Sequence, residues 1–280
     1  MHTDFQNLRD FMDSALPKIG VSGIDCIIYQ DHQEIFRHAA GYSDIENRIP
    51  MRPDGLYNLY SASKVITCVA AMQLLEKGKI ALFEPVHRYL PEFEKMLVKA
   101  GTFVILPAKK TIRILDLFTM TAGISYELDT PEMRKLFAEN GRDFDTRDFV
   151  RALAREPLMF EPGEGWNYGY CHDVLGAIVE VVSGMTFGQY LRRYIFDPLG
   201  MKDTGFALTE ANKHRIAPQY DYSYETGKAK RISSDCIGNA GERHESGGGL
   251  ISSCEDYILF ADALACGGVG KSGARILSEN

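Results

Sequence analysis

Leu56-Tyr57-Asn58-Leu59-Tyr60-Ser61-Ala62-Ser63-Lys64-Val65-Ile66-Thr67 is the stretch on which the reading of this chain turns. From Ser61 onward the pattern is helical. Val65, Ile66, Val69, Met72 and Leu75 recur at intervals of three and four, and Gly78 stands where a helix stops on glycine. The spacing predicts a helix from Ser61 to about Lys77, opened by Ser61-Ala62-Ser63-Lys64. Residues three apart share a helix face, so the hydroxyl at 61 and the amine at 64 lie within reach of each other. A serine hydroxyl is a weak nucleophile until a base takes its proton, and a neighbouring amine can be that base once burial or nearby cations lower its basicity. The helix start also aims backbone N–H groups at developing negative charge. Alone, a Ser-x-x-Lys sequence is thin support, because 15 serines and 14 lysines in 280 residues generate roughly one such pair by chance. A serine in that place is first of all a helix cap.

Upstream, Phe5, Leu8, Met12 and Leu16 mark an amphipathic helix over residues 4–16. Ile24–Tyr29 and Glu34–His38 read as two strands joined by a polar turn around Asp31-His32, an antiparallel hairpin. Residues 41–56, rich in Gly, Pro, Asp and Asn, read as an irregular connection. Downstream the pattern is mostly helical to about residue 200. Asp129-Thr130-Pro131 caps one helix with proline in its first turn, Asp145-Thr146 opens another, and His172–Val182 and Thr186–Phe196 continue the series. Ser252-Ser253-Cys254-Glu255 reads as a capping box ahead of Tyr257-Ile258-Leu259-Phe260. The order of strands, helical insertion and glycine-rich return suits an α+β architecture better than a doubly wound alternation.

With 45% hydrophobic residues the chain can bury a sizeable core in one or two domains. Its net charge of −7 and lack of a basic stripe argue against nucleic acid or an anionic membrane as the main partner. No run approaches the roughly 18 consecutive apolar residues of a membrane span. Met1-His2-Thr3-Asp4-Phe5 lacks the basic start and apolar core of a secretory signal, which makes the cytoplasm the expected location, unless a signal was removed earlier. Cys26, Cys68, Cys171, Cys236, Cys254 and Cys266 form no Cys-x-x-Cys pair and are expected as free thiols. His87, His172, His214 and His244 stand apart from one another and from carboxylates at ligand spacing, so neither a metal nor another cofactor is expected. Ala265-Cys266-Gly267-Gly268-Val269-Gly270-Lys271-Ser272 imitates a phosphate-binding loop, but a helix precedes it where a strand is needed. A surface turn is the better reading.

The serine stretch resembles the nucleophile segment of the β-lactamase-like serine hydrolases, a family that includes penicillin-binding peptidases, class C β-lactamases and family VIII carboxylesterases. Gly41-Tyr42-Ser43-Asp44 and Pro50-Met51-Arg52-Pro53-Asp54 are similar to the family's approach to the serine. Residues 74–86, Tyr89-Leu90-Pro91-Glu92-Phe93 and Thr111–Ile124 are similar to the family's segments beyond it. Asp197-Pro198-Leu199-Gly200-Met201 and Gly247–Ser253 extend the likeness in order over nearly the whole chain. The family's second catalytic element is a tyrosine loop before a helix. Gly165-Trp166-Asn167-Tyr168-Gly169-Tyr170-Cys171-His172-Asp173-Val174-Leu175-Gly176 matches the esterase branch best, with Tyr168 in the tyrosine's place. Gly169 stands where serine is usual, and Tyr170 where the peptidases carry asparagine, which favours an esterase over an amide-gripping site.

The resemblance implies an antiparallel sheet flanked by helices plus a mostly helical insertion. Residues 1–60 and 240–280 are expected in the sheet part and 61–239 in the helical part, together one catalytic unit. It implies Ser61 as acyl nucleophile and Lys64 and Tyr168 as proton carriers; a phenol, with an ordinary pKa near 10, needs a neighbouring cation to act at neutral pH. Tyr126, Trp166 and Tyr170 are candidates for lining the acyl pocket, although core packing explains aromatics equally well. The family's third element, a C-terminal strand of Lys-Thr-Gly or His/Trp-Gly-Gly type carrying a second oxyanion donor, is not found up to Asn280. The expectation is therefore a further C-terminal segment, or a partner chain, that completes the sheet. Three functions stay open: hydrolysis of carboxylic esters, hydrolysis of a β-lactam or D-amino-acid peptide, and a catalytically silent binding module of the same fold.

Overall fold

The predicted amphipathic spacing near the N-terminus forms α1 (Gln6–Ile19), which buries Met12 and Ala15 and stops on Gly20 at a left-handed φ of 72°. The expected hairpin follows as β1 (Gly23–Gln30) and β2 (Gln33–Asp44), antiparallel, with Cys26 opposite His38. Its two-residue turn, Asp31-His32, holds both residues at positive φ, 49° and 64°, as the twist of a tight hairpin demands. The computed structural model describes residues 4–101, 104–232, 243–245 and 247–279; the thiol of Cys236 lies outside them. Where an irregular connection is expected from the sequence, β2 runs on and pairs with β3 (Ile49–Pro50), and β4 (Leu56–Asn58) follows. Glycine and proline in that stretch mislead because backbone pairing supplies the order that the side chains do not.

Beyond the serine come α2 (Ser63–Glu76), β5 (Leu97–Lys99), β6 (Ile105–Pro107) and α3 (Ile114–Phe118). Then come α4 (Pro131–Asn140), α5 (Thr146–Leu153), α6 (Cys171–Ser183), α7 (Phe187–Leu191) and α8 (Asp197–Leu199). The described chain closes with β7 (Gln219–Ser223), β8 (Lys228–Ile232), β9 (Ile251–Ser253) and α9 (Cys254–Ala265). The caps are those the sequence advertises at α4 and α5, where Thr130 and Asp145 accept from Met133 N–H and Asp148 N–H. At α9 the cap sits one residue later than expected. Ser253 accepts from Asp256 N–H, and Glu255 reaches Arg37 instead of closing a box.

The chain divides into two compact units. One comprises residues 1–58, 196–237 and 251–280; the other comprises 59–195 and 238–250. Residues 196–232, expected in the helical part, cluster with the first unit. In the first unit, α1 packs on β1 and β2, α9 packs on β1, and β9 pairs antiparallel with β4. No single helix among the described residues is long and apolar enough to cross a membrane. The stretch that imitates a phosphate loop is a turn following α9, closed by Gly270 N–H on Ala274 O.

The second unit is built around α6. Val174, Leu175, Ile178 and Val179 are fully buried there, and α2, α3, α5 and α7 pack against that helix. Each such aliphatic side chain contributes roughly 1.5–3 kcal/mol on burial, so α6 is a rigid mount for whatever its first turn carries.

Candidate active site

Ser61 lies in a 3-10 turn, Tyr60–Ala62, that runs into α2. The helix therefore begins two residues later than the apolar pattern predicts. Tyr60, immediately before the serine, adopts a positive φ of 46°. A non-glycine residue costs about 1–3 kcal/mol there, and such strain collects where a side chain must be aimed. Ser63 is buried and its hydroxyl accepts from Leu250 N–H at 3.2 Å, while Leu59 N–H donates to Leu250 O at 2.8 Å. The glycine-rich return at 247–250 is thereby tied to both sides of the serine turn. Gly247 belongs there because a Cβ would press within 3.0 Å of the His172 Cβ.

Tyr168 is delivered by a loop stitched onto residues 120–125. Asn167 N–H donates to Met120 O at 3.1 Å, the Asn167 amide donates to Ile124 O at 3.1 Å, and Tyr170 N–H donates to Ser125 O at 3.3 Å. Between them Gly169 approaches so closely that a Cβ would stand 2.1 Å from Ile124 O. That explains glycine where serine is the expected residue: this loop has no room for a side chain.

The structure brings the side chains of Ser61, Lys64 and Tyr168 together. Ser61 Oγ and Tyr168 Oη share a short hydrogen bond, and Lys64 Nζ donates to Ser61 Oγ at 3.4 Å. Lys64 is only 7% exposed, and its ammonium lies 5.1 Å from the Tyr168 ring centre and 5.6 Å from that of Tyr126. Among the described residues it meets no carboxylate. Tyr126 is nearly edge-on to Tyr168, with ring centres 5.1 Å apart, and lies 4.7 Å from Tyr170. Tyr170 in turn packs its ring on Phe149, and burial, then the Asp173 carboxylate, raises its phenol above the ordinary range. Trp166 stands apart from this cluster, 67% exposed and in no ring contact among the described residues.

One group near the amine is not recognisable in the sequence. His172, in the first turn of α6, is buried with Nε2 3.6 Å from Cys68 Sγ and 3.5 Å from Phe118 O. Burial and, after it, the positive charge of Lys64 push His172 below the ordinary imidazole range. Its one signal is the four-residue spacing from Tyr168. Behind it, His244 Nε2 lies 3.3 Å from the buried Asp173 carboxylate and stacks on Phe149 at 4.2 Å. The pair fastens His244 to the same helix start.

A serine turn leading into one helix, a lysine one turn further along, and a tyrosine loop before a second helix are set in a β-lactamase/transpeptidase-like fold. The family model described as Beta-lactamase matches residues 6–280, and the chain belongs to that family of serine hydrolases and acyltransferases. Esterase EstB of Burkholderia gladioli is 31% identical over 273 residues, covering 90% of this chain and 68% of that protein. Among solved structures, EstCE1, a hydrolase with promiscuous acyltransferase activity, superposes with a TM-score of 0.79 at 25% identity, over 98% of this chain and 74% of that one. Simvastatin synthase (LovD) of Aspergillus terreus, unliganded, gives 0.77 at 25% identity, over 99% and 70%.

Proposed function

We propose that the chain hydrolyses carboxylic esters through an acyl-enzyme on Ser61. The observation that carries this reading is the convergence of Tyr168 Oη and Lys64 Nζ on Ser61 Oγ. In the first half-reaction Ser61 Oγ attacks the ester carbonyl as its proton passes to the Lys64–Tyr168 pair. The tetrahedral oxyanion takes a hydrogen bond from Ser61 N–H at the head of the serine turn. Collapse breaks the bond to the alcohol, which leaves with the proton held by Tyr168. Water then gives a proton to the same pair, attacks the acyl carbon and releases the acid, returning hydrogen to Ser61. The second oxyanion donor that the resemblance calls for has no counterpart motif in residues 1–280.

An ester is favoured over a β-lactam by Tyr170. It occupies the position of the peptidases' asparagine and turns its ring into Tyr126 and Phe149, so it offers no amide to grip a peptide-like substrate. The names of EstB and EstCE1 point the same way. The test is rapid-mixing kinetics with p-nitrophenyl butyrate. A burst of nitrophenol approaching one equivalent, an acyl adduct on the Ser61 peptide by intact and peptide mass, and loss of both in Ser61→Ala are expected. Equal turnover in parent and variant overturns the reading, and labelling by fluorescent penicillin without ester turnover moves the substrate to β-lactams. Failure of a fluorophosphonate probe to label Ser61 leaves a silent module.

A further inference from the structure

Nothing in the sequence joins His32, Asp262 and Cys266, yet the first unit brings them together. Asp262 and Cys266 are four residues apart at the end of α9, so their side chains share one face. His32 arrives from the β1–β2 turn, in a left-handed conformation usually left to glycine or asparagine. Its Nδ1 stands 2.6 Å from Asp262 Oδ2, and Cys266 Sγ stands 3.8 Å from Asp262 Oδ1. One ligand atom from each of the three lies within 4.8 Å of the other two. The Asp262 side chain is only 2% exposed, whereas His32 keeps 33%, so the cluster has a buried anionic floor and an open rim. The local field is negative. Burial and then the carboxylates of Asp262 and Asp31 push the Cys266 thiol up.

The geometry points to a single-ion site for a zinc-class divalent cation, held by His32 Nδ1, Asp262 and Cys266 Sγ with water at the fourth position. The donor set is what selects the ion. Imidazole nitrogen, carboxylate oxygen and thiolate sulfur together suit zinc, whereas magnesium and calcium call for oxygen alone. Zinc bonds run about 2.0–2.3 Å, which requires ligand atoms under about 4 Å apart around a tetrahedron. A small opening of the His32–Asp262 hydrogen bond and a small approach of the sulfur reach that arrangement. On loading, the thiol proton is released to solvent, the single proton of the neutral imidazole resides on Nε2 so that the Nδ1 lone pair binds the ion, and the ion's charge neutralises the carboxylate floor. The effect is a staple between the hairpin turn and the end of α9, inside one unit and separate in function from ester chemistry.

The test uses the full chain stripped with a chelator and dialysed, then titrated with Zn²⁺ by calorimetry and with Co²⁺ by absorption. One ion per chain is expected, with a sulfur-to-cobalt charge-transfer band in the near ultraviolet, intense tetrahedral visible bands and a raised melting temperature on loading. Cys266→Ser removes the charge-transfer band. His32→Ala, at a turn and partly exposed, weakens zinc binding by at least about tenfold, with far-ultraviolet circular dichroism showing that both variants are folded. No binding in the parent, binding of equal strength in both variants, or a cobalt spectrum without the thiolate band overturns the site. None of these readouts depends on ester turnover, so the fate of the proposed function is judged separately.

Discussion

Helices α2 and α9 both turn charged side chains inward, and they treat them in opposite ways. In α9 the inward carboxylates are met by matched donors. Asp256 accepts from Asp203 N–H at 2.7 Å and Thr204 Oγ1 at 2.8 Å, and Asp262 meets His32. In α2, Lys64 is as buried but meets a serine oxygen and two aromatic faces, with no carboxylate among the described residues. The α9 carboxylates have their acceptor oxygens satisfied by donors from the same unit, whereas the Lys64 amine is met by a serine hydroxyl and two ring faces. The proposed ester chemistry sits where the answering charge is withheld.

The most direct attack on that contrast removes the groups around the serine while leaving the helix intact. Tyr168→Phe keeps the ring on Tyr126 and removes only the hydroxyl. It is expected to lower kcat for p-nitrophenyl butyrate by about 10²–10⁴-fold, the usual share of a positioned proton carrier. Lys64→Met, of similar bulk and without the charge, belongs in the same range. Steady-state kinetics beside unchanged circular dichroism checks both, and a loss below about threefold in either removes that residue from the proton relay.

The next effect is steric. In Gly169→Ala a Cβ would fall 2.1 Å from Ile124 O, against backbone that cannot swing aside. Overpacking of this sort costs about 1–3 kcal/mol, and the displaced loop carries Tyr168. A lower melting temperature together with a lower kcat is expected, because stability and positioning are coupled through the same residue. A variant that melts lower yet keeps full kcat separates them and shows that the Tyr168 hydroxyl reaches Ser61 without the loop's exact seat.

These residues also mark how far the sequence can be read. Ser61 and Lys64 are legible because their relation is local, one turn of one helix, and Tyr168 because an extended flanking resemblance singles it out of 14 tyrosines. The α+β fold is legible for the same reason, since cap residues and apolar periodicity are properties of short windows. The extension of β2 into β3 is not, because pairing partners decide it. Tyr126 and Tyr170, candidates for pocket aromatics, lie with Tyr168 in one ring cluster, whereas Trp166, a candidate beside them, stands outside it. His172 looks isolated along the chain, although α6 sets it beside Cys68 and within reach of the Lys64 charge. His32 and Asp262, 230 positions apart, can be joined only by the tertiary fold.

Glu180 asks whether an ill-matched, half-buried charge always means chemistry. Its carboxylate accepts from Phe187 N–H at 2.9 Å and caps α7, beside Glu245, which accepts from Gly188 N–H at 2.7 Å. Burial first, and then the Glu245 charge, raise its pKa from 4.5 to about 7. The folded state therefore holds this proton more tightly than the unfolded chain. Below pH 4.5 both states are protonated and nothing is lost. Between 4.5 and about 7 stability falls as pH rises, and above that the penalty is complete. Glu180→Gln keeps the acceptor oxygen without the charge, so at about pH 8 it is expected to be more stable than the parent by about 1–2 kcal/mol after allowing for solvent screening. The advantage vanishes near pH 4.5. Urea unfolding at the two pH values checks this, and a pH-independent difference would detach the effect from Glu180's proton.

The smallest expected effect falls on α9 and tests its purely structural side. Ser253→Ala removes the hydroxyl that accepts from Asp256 N–H at 3.1 Å, and loss of such a cap costs about 1 kcal/mol. If α9 serves only the fold, the variant shifts the urea midpoint while kcat per folded molecule stays at the parent value. A fall in kcat would mean that the polar face of α9 is coupled to turnover, and the contrast with α2 would fail at its structural end. The comparison with Ser252→Ala places the cap itself. The Ser252 hydroxyl pairs with Thr204 Oγ1 at 2.8 Å in a buried setting while Thr204 Oγ1 also donates to Asp256, so its loss removes one contact of that buried network and acts on stability through a different route. Only the Ser253 change should be rescued by Asp, which caps a helix start as well as serine does, and that rescue fixes the helix start at the residue the structure gives it.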